Sequence, residues 1–314
     1  MQAREPPSAP LVSGGGLASA GTGRRDTRAR RRGGGDAVSV LTLSVVLAGG
    51  FAALAWVLSL VSGDTSWTDR LWSLVPIVYV ASFALAAHLA DARLDVMAAL
   101  TVLWGARLTF NFARKGGYSG VEDYRWAVLR ARMPGWRFQL FNLTFIAGYQ
   151  NLLLLLISLP ADTAFAHRSR AFGASDALLA LLFLALLAGE TVADQQQWDF
   201  HQAKARAAAA GAPLDPPFLT TGLFRYARHP NYFFEIAQWW VIYLFGAVAA
   251  GSILQWTLVG PVLLTLLFVG STRFTEVISR SKYPAYAQYQ ASTSAVVPWF
   301  PRRSEPVMTE REAT

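Results

Sequence analysis

Seven apolar stretches alternate with short polar connections, at about 37–61, 71–90, 94–113, 138–159, 174–193, 231–251 and 252–271. Each holds about 18–25 residues, enough for a helix rising about 1.5 Å per residue to cross about 30 Å of hydrocarbon. Backbone N–H and C=O groups find no water in lipid, so the stretches are predicted to be helices. The fold class expected is all-α: a polytopic integral membrane protein of about seven transmembrane helices. Trp56, Trp67, Trp72, Trp104, Trp239, Trp240 and Trp256 fall near segment ends, where an interfacial aromatic belt is expected.

Residues 1–36 lack this periodicity and are rich in Gly, Ala, Ser, Pro and Arg, which predicts a disordered basic tail. The pair Arg24-Arg25 resembles a twin-arginine export signal only loosely, and six further apolar segments follow the first. Residues 37–300 are expected to form one membrane domain, with a second disordered tail over 301–314.

Composition supports the membrane reading. Hydrophobic residues make up 53% of the 314 and charged residues only 15%, against roughly 25% charged in soluble domains. The absence of cysteine excludes disulfides, thiolate nucleophiles and Cys-ligated zinc or iron–sulfur centres. Four scattered histidines give no pattern of metal ligands, so no metal site is expected.

The net charge of +8 is concentrated in two places. Residues 1–36 hold seven arginines against Glu5, Asp26 and Asp36, and residues 114–137 hold six basic residues against Glu122 and Asp123. Both runs flank apolar segments, where lipid headgroups and the positive-inside rule explain them without nucleic acid. A cytoplasmic C-terminus collects more basic residues than a cytoplasmic N-terminus, which favours N-out, C-in.

Chemistry is sought where an apolar helix turns polar on one side. The fifth segment runs into Glu190, Asp194, Gln197, His201 and Lys204, at helical spacings that put them on one face. Ionisable groups at such a place face a cavity or a partner, although a helix leaving the bilayer into water would show the same pattern. A second cluster opens the sixth segment: Arg225, Tyr226, Arg228, His229, Pro230, Asn231, Tyr232 and Glu235. His229-Pro230 marks a helix start, and Arg225, Arg228 and His229 beside its free N–H groups form an anion site, with lipid phosphate as the plainer ligand. Asn231 and Glu235 lie one turn apart within that helix. A third run, from Arg107 through Arg114-Lys115-Gly116-Gly117-Tyr118 to Glu122-Asp123-Tyr124-Arg125-Trp126, reads as an interfacial loop or as a charged network around a poised phenol. Near the C-terminus, Glu276, Lys282-Tyr283-Pro284, Tyr286 and Tyr289 are expected to fold back onto these clusters.

These residues carry a resemblance. Gly-Leu-Phe-Arg-Tyr-Ala-Arg-His-Pro-Asn-Tyr-Phe-Phe-Glu at 222–235 resembles the C-terminal signature of the steroid 5α-reductase superfamily. Glu190-x3-Asp194, the run at 114–126 and Lys-Tyr-Pro-x-Tyr at 282–286 look like its bacterial branch, named after domain of unknown function 1295. The likeness covers about residues 38–300. It implies a monomeric multi-pass reductase of the bacterial inner membrane that uses NADPH to reduce an activated C=C bond of a lipophilic steroid-, isoprenoid- or lipid-like substrate. The N-terminal half would serve the substrate and residues 174–300 the cofactor. Asp194 would contact the adenosine end, with Glu190, Gln197 and His201 on the same stripe. Arg225, Arg228 and His229 would hold phosphates, while Asn231, Tyr232 and Glu235 would lie at the nicotinamide side. Tyr283 and Tyr286 would close the pocket. Tyr118 or Tyr124, adjoining Glu122, would donate to the substrate carbonyl, phenol being neutral at ordinary pH.

The likeness is incomplete on the substrate side. Steroid reductases hold the ketone with a glutamate on the second span and a tyrosine on the third. Here the second span ends in His88 and Asp91, and the third has Asn111. Related membrane isoprenylcysteine methyltransferases share Arg-His-Pro-x-Tyr in the service of S-adenosylmethionine, which keeps a methyltransferase, and beyond it a non-catalytic lipid-binding protein, as alternatives.

Overall fold

The computed structural model describes residues 22–302, with side chains from residue 39 onward. Residues 1–21 and 303–314, most of the two expected tails, lie outside the described residues. Among the described residues there is no strand. The helices are α1 (Thr22–Ser62), α2 (Trp67–Trp72), α3 (Val75–Ala86), α4 (Ala92–Arg114), α5 (Tyr124–Arg132), α6 (Gly135–Phe141), α7 (Gln150–Ser158), α8 (Pro160–Ala166), α9 (Ala174–Ala209), α10 (Pro230–Ala250), α11 (Val259–Lys282) and α12 (Tyr286–Ser292). Among the described residues, seven helical stretches are long and apolar enough to cross a membrane, as the hydropathy pattern predicts.

The differences lie at segment ends. Helix α1 begins at Thr22, so residues 22–36, expected in a disordered tail, continue a helix whose nucleus is the apolar span behind them. The fourth span changes winding part-way. A π-helical stretch, Asn142–Tyr149, joins α6 to α7 and stacks Phe141, Phe145 and Tyr149 into a ladder with centroids 4.9 and 5.4 Å apart. Helix α9 has 36 residues, about 54 Å at 1.5 Å per residue. It therefore overshoots the hydrocarbon, and its polar C-terminal third projects toward the face where α4 ends and α10 begins.

Helix α10 is the centre of the bundle, packed against α8, α9 and α11, while α3 lies on α4 and α1 on α7. In lipid, helices associate by close packing more than by expelling water, so small residues matter at the crossings. A Cβ on Gly105 of α4 would lie 2.4 Å from the Ser73 carbonyl, and one on Gly246 of α10 would lie 2.8 Å from that of Pro160. Between these crossings the buried side chains of Tyr79, Phe83, Trp104, Leu153, Phe165 and Phe245 form one continuous core.

One ion pair is sealed into this core. Arg93 and Asp176 are each 1% exposed and meet through two hydrogen bonds, at 2.7 and 2.9 Å. Arg93 also donates to the carbonyls of Arg170 and Ala171, and Asp176 accepts from the Gly173 N–H that opens α9. The pair thus fixes α4, the α8–α9 loop and the first turn of α9 together. Removing one partner leaves a bare buried charge, so Arg93→Ala should lose about 3–5 kcal/mol in thermal or denaturant unfolding. The double variant Arg93→Met/Asp176→Leu should recover most of that loss.

Candidate functional site

The stripe on α9 meets a residue that its own spacing could not reveal. Arg107 of α4 points Nη1 at Glu190 Oε1 (3.0 Å) and Asp194 Oδ2 (2.6 Å), and Nη2 at Glu235 Oε2 of α10 (3.3 Å). All four side chains are at most 10% exposed. Glu235 accepts two indole N–H bonds, from Trp104 (2.8 Å) and Trp239 (3.3 Å), whose rings meet edge to face. These two tryptophans are expected in the interfacial belt from sequence, but they are 0% and 2% exposed and belong to the site. Gln238, one turn beyond Glu235, donates to Glu190 Oε2 at 2.6 Å and to the Phe234 carbonyl at 3.1 Å.

Two polar atoms in this cluster are buried without partners: Arg107 Nε, a donor, and Gln238 Oε1, an acceptor. Leaving such groups unpaired costs about 1–3 kcal/mol each. Arg107 sits at the centre of the carboxylates, and among the described residues no set of His, Asp and Glu side chains could hold a metal ion.

Further along α9 the charge changes sign. Arg114 bonds Gln195 Oε1 (2.8 Å), the Asp194 carbonyl (3.0 Å) and Asn111 Oδ1 (2.9 Å), with its guanidinium 5.1 Å from the Trp198 ring. Lys115 donates to Gln197 Oε1 at 3.0 Å. Loss of water around its ammonium pushes the Lys115 pKa down; Asp194 opposes this, and Arg114 and Arg107 add to it. The charges of Lys115 and Lys204 both reach His201. Lys204 donates to the Pro217 carbonyl and, at 2.9 Å, to Tyr283 Oη, and that bond holds the Tyr283 phenol below its ordinary pKa. Cations with neutral partners therefore line the outer end of a stripe whose inner end is acidic.

The Arg-His-Pro motif has another task. Arg228 grips Glu276 of α11 with two bonds (2.6 and 3.0 Å) and donates to the carbonyls of Gln290 and Thr293. His229 Nε2 lies 3.2 Å from the same carboxylate. The backbone follows suit: Arg228 and His229 donate N–H bonds to the Ser294 and Ala295 carbonyls. Tyr289 donates to the Phe224 carbonyl, and Phe218 packs among Tyr283, Tyr286 and Tyr289. Arg228 and His229, expected at phosphates, turn the Arg228 donors and the His229 Nε2 toward protein acceptors in this structure. Arg225 is exposed and forms no such latch. Asn231 makes no side-chain hydrogen bond among the described residues, and Tyr232 stacks on His229. Gln196, beside the stripe, accepts from the Leu223 N–H and occupies the space a side chain at Gly222 would need, where φ is +63°.

The third run folds against α2 and α11. Tyr118 Oη donates to the Arg70 carbonyl at 3.1 Å. Glu122 binds Arg130 (2.6 Å) and Thr65. Burial raises its pKa, but the Arg130 and Thr65 hydrogen bonds outweigh that and hold it below 4.5. Tyr118 and Glu122, expected at the reacting atoms, are thus committed to holding the loop. Tyr124 instead lies near Tyr232 and Tyr286, with 52% of its surface exposed.

With this geometry in hand, the comparisons can be placed. The family described as "Protein of unknown function (DUF1295)" matches residues 55–293. This chain belongs to that family. A relative, the "Uncharacterized protein C594.04c" of Schizosaccharomyces pombe, is 41% identical over 258 residues, which cover 77% of this chain and 75% of the relative. With a fission yeast relative this similar, the bacterial branch and the bacterial inner membrane expected from sequence are not supported as such. No solved structure matches the chain.

Two outcomes follow from the latch and the loop. Arg228→Ala should free the segment after Tyr283, read as faster limited proteolysis there and a loss of about 3 kcal/mol, since buried Glu276 keeps only His229 and Gln290 as partners. A carboxylate with a depressed folded pKa stabilises above its unfolded value and loses that contribution as pH falls through the folded one. Wild type should therefore lose melting temperature below about pH 4.5, and Glu122→Gln should remove that part of the acid dependence.

Proposed function

We propose that this DUF1295 protein is a membrane-embedded NADPH-dependent reductase, related to the steroid 5α-reductase superfamily and acting on an activated C=C bond of a lipophilic substrate. The observation that carries the reading is the pair of orphaned atoms inside the Arg107 cluster. A primary carboxamide offers one acceptor and one donor, the complement of Arg107 Nε and Gln238 Oε1, and nicotinamide carries such a group. The sign change along α9 supports the same reading: an elongated ligand with an uncharged ring at one end and phosphates at the other matches an acidic floor and a basic rim. Arg114, Lys115 and Lys204 are the phosphate-side candidates, joined by exposed Arg225.

The bound dinucleotide would supply hydride. The chain's own residues orient and neutralise. Glu235 and Glu190 are held by Trp104, Trp239, Gln238 and Arg107 in a dry setting that keeps the ring side fixed. Tyr124, a phenol and so protonated at neutral pH, would be the group that donates to a carbonyl oxygen as charge develops there. Entry from lipid suits a site walled by apolar helices.

A second reading has one observation in its favour. Three carboxylates face a single guanidinium, which would also suit a cationic sulfonium such as that of S-adenosylmethionine. The basic rim would then be idle.

Purified protein titrated with NADPH, followed by nicotinamide fluorescence or calorimetry, should show saturable binding. Lys115→Ala and Gln238→Ala should each weaken it about tenfold, the loss of one hydrogen bond worth about 1.4 kcal/mol. Binding of S-adenosylmethionine with no response to NADPH would sink the reductase reading.

A further inference from the structure

At the opposite membrane face the bundle carries a second feature, unconnected to the Arg107 cluster. A groove of about 310 Å³ runs between the first turn of α9 and the last turn of α10. Its wall is apolar, from Leu244, Ala247, Val248 and Ile253, and its mouth is polar, from Arg170, Ser175 and Ser252. Ile253 and its neighbours Leu254 and Trp256 are 64%, 78% and 57% exposed, which places the mouth where headgroups meet acyl chains.

The cations around this loop differ in what they face. Arg93 is consumed by Asp176, and Arg168 donates to the Phe165 carbonyl with its guanidinium 4.3 Å from that ring. Arg170 is exposed, and among the described residues its guanidinium makes no hydrogen bond or ion pair. Its backbone is held and its guanidinium lies over the end of α10. Its carbonyl is held by Arg93, and a methyl placed on Gly251 would come within 2.8 Å of its Nη1. An exposed guanidinium with no hydrogen-bonded partner, above an apolar trough and beside the N-terminus of a 36-residue helix, has the complement of a phosphodiester carrying an acyl chain, although Asp176 of that first turn also feels its charge.

We infer that this groove binds a net-anionic phospholipid, with the phosphate at Arg170 and one acyl chain along Leu244, Val248 and Ile253. The site belongs to the leaflet opposite the candidate cofactor face, and its occupant ties the α8–α9 loop to the end of α10.

The test is native mass spectrometry of the full chain released from mixed micelles holding equal phosphatidylglycerol and phosphatidylcholine. Wild type should retain one phosphatidylglycerol in about fivefold preference, the effect of one basic residue near a lipid surface. Arg170→Gln should bring the two lipids near parity, Val248→Trp should lower retention of both by filling the trough, and Arg280→Ala, a charge removed from the other end of α11, should leave the preference intact. Equal loss in Arg280→Ala, no preference in wild type, unchanged retention in Val248→Trp, or displacement by millimolar inorganic phosphate as effective as by phosphatidylglycerol would each overturn the inference.

Discussion

Arg107 is a guanidinium inside an apolar helix, and much of the molecule's polar architecture exists to satisfy it. Burying a charge of that size costs several kcal/mol unless partners are arranged around it. The partners come from α9 and α10, so α4, α9 and α10 are registered against one another by a single side chain. That registration aligns the stripe on α9 with the start of α10 and puts Trp104 and Trp239 edge to face over Glu235. It also leaves the cluster richer in carboxylates than in cations. Arg114 and Lys115, about two turns on, bring positive charge back to the region, and the result is a polarity gradient along one helix face.

The second constraint is the grip of Arg228 on Glu276. Glu276 is 8% exposed and receives bonds from Arg228, His229 and Gln290, which makes it the anchor for everything after α11. The C-terminal segment thereby lies across the turn at 222–229 instead of hanging from the bundle. A motif that suggests an anion site by its residue types is in this fold a clasp. What the clasp secures is the position of Tyr283 and Tyr286 beside Lys204 and Tyr124, so the motif still serves the site, by placement.

The spans were legible because hydrocarbon imposes a strong, local rule: about 20 apolar residues, backbone satisfied within the helix. The one-sided polarity of α9 was legible for the same reason, through the 3.6-residue period that sets Glu190, Asp194 and Gln197 on one face. Arg107 reads from sequence as the start of an interfacial loop or charged network, although it lies well inside the third apolar run; a charge at that depth is itself a signal that a partner exists. Trp104 and Trp239 were read as belt residues because position near a segment end says nothing about which way a ring faces. The start of α1 and the π-helical stretch in the fourth span had no clear local signature.

Composition and periodicity determined the solvent, the helical class, the approximate spans and the faces that carry polarity, since each depends on residues near one another in sequence. Which polar side chains meet was decided only by the tertiary structure. Arg107 reaches Glu235 across 128 residues of chain, and Arg228 reaches Glu276 across 48. The outcome of such pairings depends on helix order, crossing angle and depth in the bilayer. Competition for buried carboxylates, settled by distance in the folded bundle, gave Glu276 to Arg228 and Asp194 to Arg107.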